Sequence, residues 1–241
     1  GHARMDDGAD AGEVMWLHGE VKDTEGRPVA NAIVDIWHAN TLGNYSFFDP
    51  GQSEYNLRRR IRTGADGRYS VRSIMPSGYG CPPDGPTQKL LDRLGRHGNR
   101  PAHIHFFVSA PGHKHLTSQI NLNGDKYLWD DFAFATRDGL IADPVKVTDR
   151  EIIAQRNLEG EHTEVCFDFT LCKALSADAA RDPRARQRVS GIIGPGHATA
   201  RARYCTRKRR IHPVSFILNP AGGTDSCKKR SRRSKTKSIM P

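Results

Sequence analysis

The run R-P-A-H-I-H-F-F, residues 100–107, sets two imidazoles one residue apart inside an otherwise apolar stretch. In a strand, side chains alternate between faces, so His103 and His105 project one way and Ile104 the other. Two imidazoles side by side on a buried face need a shared partner. A metal ion is one candidate, and satisfied structural histidines are the other reading. A second pair, His113 and His115 in P-G-H-K-H, stands beside a turn and reads as exposed loop imidazoles. Zinc would recruit a further His, Cys or carboxylate, and a facial-triad Fe(II) site would add one carboxylate. The residues out of place are tyrosines instead. Tyr45 in L-G-N-Y-S-F-F-D and Tyr79 in P-S-G-Y-G-C-P stand among Gly, Asn, Ser and Pro, unlike Tyr69 in its alternating run. Phenolate is a hard anionic donor, and a metal would deprotonate it far below its free pKa of about 10. Two tyrosines with two histidines therefore point to non-haem Fe(III). Asp130 and Asp131, adjacent in a loop, read as backbone-turning residues rather than a catalytic pair. Trp37 and Cys81 read as packing residues.

The elements that must position these groups are short strands between turn signals. V-M-W-L-H-G-E-V (14–21) and A-I-V-D-I-W-H (32–38) flank a D-T-E-G-R-P-V turn, and a D-G turn precedes a strand alternating Tyr69, Val71 and Ser73. P-S-G-Y-G-C-P-P-D-G-P is a loop, and Thr87 to Gly95 spaces its leucines for a short helix closed by Gly95. Residues 103–109 and 119–122 are strands, 129–140 a loop, and V-C-F-D-F-T-L (165–171) a single last strand. The sum is an all-β sandwich with short helices and long loops. The patterns D-x-x-G-x-P-V-x-x-A-x-V and T-x-x-D-G-x-Y-x-V also resemble transthyretin-like and carboxypeptidase-regulatory sandwiches. They keep a non-catalytic binding module as the alternative.

The 241-residue chain carries a formal net charge of +10, yet residues 181–241 hold 17 Lys/Arg against two Asp/Glu. Residues 1–180 hold 20 Lys/Arg against 25 Asp/Glu, so they form a mildly acidic globular domain. The remainder, 181–241, is expected to be a disordered basic tail in which only V-S-F-I-L (214–218) could pack. The abrupt break also suggests a frame error or read-through. The tail lacks an aromatic-interleaved or zinc-organised pattern, so nucleic acid is not the expected partner. The five cysteines form no C-x-x-C pair and imply reduced thiols in a cytoplasm. No apolar stretch reaches membrane-spanning length and no signal-peptide pattern opens the chain. Gly1 is not a natural start, so a fragment or processed end is expected there.

Four runs carry a resemblance: D-I-W-H-A-N-T-L-G-N-Y-S (35–46), D-G-R-Y-S-V-R-S-I-M-P-S-G-Y-G-C-P-P-D-G-P-T (66–87), R-P-A-H-I-H-F-F and W-D-D-F-A-F-A-T-R-D-G-L (129–140). In unbroken order over residues 10–180, they resemble the intradiol ring-cleaving dioxygenases, and among them those acting on catechol. A preference for chlorocatechol or hydroxyquinol is the alternative within the family. The resemblance implies Tyr45, Tyr79, His103 and His105 as the Fe(III) ligands, with Tyr45 and His103 equatorial and Tyr79 and His105 axial. It implies that Tyr79 leaves the metal and takes up a proton when catechol binds, and that Arg100 stabilises charge developing on the ring. Gln119 would line the pocket, and Phe132 and Ala133 would shape the substrate cavity. Catechol and O2 would be the partners, iron the template and electron sink, and cis,cis-muconate the product. Such enzymes also have a helical N-terminal region that forms a dimer interface, binds phospholipid and closes part of the pocket. The resemblance starts after that region, so the homodimer, lipid binding and full pocket closure are not among the expectations carried over.

Overall fold

The computed structural model describes residues 1–174. The expected boundary at 180, the basic tail and its disorder, segment 214–218 and the tail's reading against nucleic acid lie outside the described residues. Strands β1 (His2–Arg4), β2 (Val14–Asp23), β3 (Ile33–His38), β4 (Arg58–Arg62) and β5 (Arg68–Ile74) come first. Then follow β6 (Tyr79–Gly80), helix α1 (Pro86–Arg93), β7 (Asn99–Arg100), β8 (His103–Ser109) and β9 (Leu116–Leu122). A 3-10 turn (Asp138–Leu140), β10 (Ile141–Ala142), β11 (Val145–Val147), helix α2 (Arg150–Gln155), β12 (His162–Cys166) and β13 (Phe169–Leu171) complete the described elements.

One sheet runs β1-β5-β2-β12-β11, with β13 also paired to β2; the other runs β10-β9-β8-β3-β4, and β6-β7 is a small ribbon. Alternation builds the core between the sheets. Met15, Leu17, Val21, Tyr69, Val71 and Val165 from one sheet meet Val34, Ile36, Ile104, Phe106, Val108 and Ile120 from the other. Helix α1 starts on a proline and stops at Gly95, whose φ of +65° only glycine adopts cheaply.

Several features depart from the sequence expectations. The last strand is two: Asp168 turns its carboxylate to accept the Glu20 N–H at 2.8 Å, taking the donor that a ladder bond would use. The backbone comes so close there that a Cβ on Gly19 would lie 1.8 Å from the Phe167 carbonyl oxygen. Strand β4, helix α2 and the short strands β1, β6, β7, β10 and β11 lie where the sequence predicts no element. Four arginines disguise β4, in which only Ile61 is buried, and α2 begins on Asp149, whose side chain accepts the N–H groups of Glu151 and Ile152. Cys81 and Cys172 are free thiols, the state expected of them. Among the described residues, no helix is long and apolar enough to cross a membrane.

Candidate metal centre

Strand β8 is central in its sheet, and its pleat divides its side chains. Ile104, Phe106 and Val108 go into the inter-sheet core, and His103 and His105 go to the opposite face. The expected buried face is therefore not the core face. His103 is 2% exposed and His105 half-buried, under cover of loops. The β3 register sets Trp37 opposite His105, and the two rings stack 5.0 Å apart at 8°. His103 Nδ1 lies 2.7 Å from the Pro101 carbonyl, an acceptor only, so Nδ1 carries the proton and the Nε2 lone pair is free to face inward.

The tyrosines arrive from two other segments. Asn40 accepts the N–H groups of Leu42 and Asn44 with its side chain, and Gly43 adopts φ +83°, a turn that delivers Tyr45. Tyr79 sits in β6, directly paired with Arg100 in β7. The two tyrosine segments touch: a Cβ on Gly43 would lie 2.9 Å from that of Tyr79. Tyr45 Oη is 3.3 Å from His103 Nε2 and 3.1 Å from His105 Nε2. The two Nε2 atoms are 3.1 Å apart, and Tyr79 Oη is 3.5 Å from His103 Nε2.

Four donor atoms at these separations form the edges of a coordination polyhedron whose bonds to one ion are about 2 Å long. Burial and the nearby Arg100 lower the pKa of His103 to about 4; burial and His103 lower that of His105 to about 3, so both imidazoles are neutral donors near pH 7. Burial, then the neighbouring Tyr79, raises the Tyr45 phenol above its ordinary value, so without a cation it keeps its proton. Ligand binding to a hard cation would reverse that, because metal sites take deprotonated donors. The donor set fits such an ion. Among the described residues no cluster of three or more His, Cys, Asp or Glu has metal-binding geometry; the donors beside the two imidazoles are phenols.

Around the donors the remaining expected residues form one chain of contacts. Arg100 is buried; its Nη1 faces Tyr79 Oη at 3.4 Å and His103 Nε2 at 3.1 Å, and its Nη2 donates to Gln119 Oε1 at 3.0 Å. Asp131 receives Arg100 Nε and Nη2 at 3.1 and 3.2 Å. Phe132 is half-buried and Ala133 exposed; their link to the centre runs through Asp131 and Arg100. A cavity of about 140 Å³ is lined by Trp37, Tyr45, Ser46, Phe47, Phe48 and Arg58.

Two residues carry more than the sequence reading gave them. Asp131 does turn the backbone, accepting the N–H groups of Ala133 and Ala135, but it also forms the buried ion pair with Arg100. Trp37 does pack, and what it packs against is a metal-candidate imidazole. Nothing local marks either role, since both partners are distant in the chain.

A family profile described as Dioxygenase matches residues 1–173. Catechol 1,2-dioxygenase of Acinetobacter baylyi is 57% identical over 178 residues, covering 73% of this chain and 57% of that protein. Catechol 1,2-dioxygenase 2 of Acinetobacter lwoffii is 65% identical over 141 residues, covering 58% of this chain and 51% of that protein. Among solved structures, wild-type catechol 1,2-dioxygenase of Acinetobacter radioresistens superposes with a TM-score of 0.72 at 55% identity, over 73% of this chain and 58% of that one. The chain spans little more than half the length of these relatives.

Proposed function

The chain belongs to the intradiol ring-cleaving dioxygenases, and from that premise we propose that it cleaves catechol with O2 to cis,cis-muconate at a ferric, non-haem centre. The observation that carries the proposal is the convergence of Tyr45, Tyr79, His103 and His105, with neighbouring donor atoms 3.1–3.5 Å apart. These four residues would hold the iron. Bound there, Fe(III) would draw electron density from the catecholate so that the ring reacts with O2.

The chain's own groups do the rest. Catechol must lose two protons to chelate as a dianion; the Tyr79 phenolate oxygen is the proposed acceptor of one, and the other passes to water. Arg100 aims Nη1 at Tyr79 and His103, where a planar cation stabilises negative charge developing on the ring in a site shielded from water. Gln119 holds Arg100 by its Nη2. Phe132 and Ala133 are proposed as the wall facing the ring substituents. The names of the relatives above support catechol as the substrate.

The test is iron content, visible spectrum and muconate formation on the 241-residue chain as it stands. One ferric ion per chain, a wine-red phenolate-to-iron band that shifts with catechol under anaerobic conditions, and a rise in muconate are expected. A colourless protein holding stoichiometric zinc, or one that takes up no iron, would overturn the proposal.

A further inference from the structure

We propose that Asp131 is a positioning residue: through one buried carboxylate it sets both the direction of Arg100 and the placement of the Phe132–Ala133 segment. This rests on reading the centre as a catechol-cleaving site.

A guanidinium is a planar fork with five N–H donors, so fixing one edge fixes where the other points. Asp131 Oδ1 takes Nε and Oδ2 takes Nη2, at 3.1 and 3.2 Å, while Gln119 takes the other Nη2 proton at 3.0 Å. What remains is Nη1, and it faces Tyr79 Oη and His103 Nε2. The pair is shut from solvent, with side-chain exposures of 10% for Arg100 and 1% for Asp131. A buried carboxylate of that kind is costly unless every lone pair is used. The remaining two are used by the loop: Ala133 N donates to Oδ1 at 3.1 Å and Ala135 N to Oδ2 at 3.2 Å. The segment bearing Phe132 and Ala133 therefore cannot shift without moving the carboxylate that aims Arg100. A second anchor ties the loop but leaves Arg100 alone. Arg96 donates to the Phe132 carbonyl at 3.1 Å and lies 4.3 Å over the Phe134 ring.

The experiment uses the full chain with three variants: Asp131→Asn, Arg100→Lys and Arg96→Ala. In the metal-free protein, hydrogen exchange at Arg100 Nε–H and at the Ala133 and Ala135 amides is read by NMR. Asp131→Asn should speed all of them together, by about 10–100-fold for bonds to a lost charge. Arg100→Lys should speed the two loop amides from the other side, which serves if Asp131→Asn does not fold. Arg96→Ala should release the Phe132 carbonyl and the Phe134 ring but leave the Ala133 and Ala135 amides and Arg100 Nε–H protected. In the iron-loaded protein, Asp131→Asn should keep the phenolate band, lower kcat for catechol more than it changes KM, and alter the catechol to 4-methylcatechol preference. Its effect should be non-additive with Arg100→Lys. Unchanged Arg100 protection in Asp131→Asn, or loop amides indifferent to Arg100→Lys, would overturn the coupling. A wild-type chain without the band or without muconate overturns the catechol reading alone, because the exchange data decide the coupling without metal.

Discussion

Replacing any one of four side chains should dismantle the centre in a different way. His105→Ala removes a neutral donor and should leave less than one iron per chain, measured by metal analysis after reconstitution. Tyr45→Phe should weaken the visible band, since the band depends on phenolate donors. Tyr79→Phe should keep some colour but slow turnover, because the proposed proton acceptor is gone; full turnover in that variant would contradict the role. Trp37→Leu tests a supporting residue. The indole stacks flat on His105, so its loss should reduce iron affinity by roughly 10–100-fold, as changes to ligand-orienting neighbours do, while leaving the fold intact. Competition with a chelator measures that.

At the level of elements, β8 does two jobs with one pleat. Ile104 is fully buried in the core between two histidines that face away from it. Ile104→Ala should cost about 2–5 kcal/mol in urea unfolding while leaving the donors in place, so a folded preparation should still bind iron. Gly43→Ala should do the reverse. Its φ of +83° makes alanine there cost about 1–3 kcal/mol, and the added methyl would press on Tyr79. Iron loading should therefore fall further than thermal stability does. Helix α1 is legible from leucine spacing, and of β9 only the second half, 119–122, is predicted; residues 116–118 extend it. Strand β4 is not legible, because its arginines hide a period of two, and the break before β13 depends on Asp168, between β12 and β13, whose side chain reaches the β2 backbone.

For the whole molecule, acid stability is set away from the centre. Glu164 on β12 is held at about 2 by His18 and then Arg156, against burial that pushes it up. A carboxyl whose folded pKa is depressed stabilises the fold above its unfolded value of about 4.5, and that contribution fades as pH falls toward 2. Glu164→Gln should thus be less stable than wild type at pH 7, by up to about 3 kcal/mol. The gap between their unfolding free energies should narrow from pH 4.5 to pH 2. A constant gap would mean that the ion pairs contribute nothing specific to the charge.

What the residues determined by themselves is local. Period-two alternation set His103 and His105 on one face, turn chemistry marked the segments around Tyr45 and Tyr79, and donor type pointed to a hard trivalent ion. Only the tertiary structure decided that these donors meet. Tyr45 lies 58 and 60 positions from its histidine neighbours, Tyr79 lies 24 from His103, and Asp131 lies 31 from Arg100. Periodicity acts over a few residues, whereas bringing such groups within 3.5 Å depends on sheet register and loop path. The core and the backbone hydrogen bonds of the entire sandwich settle both together.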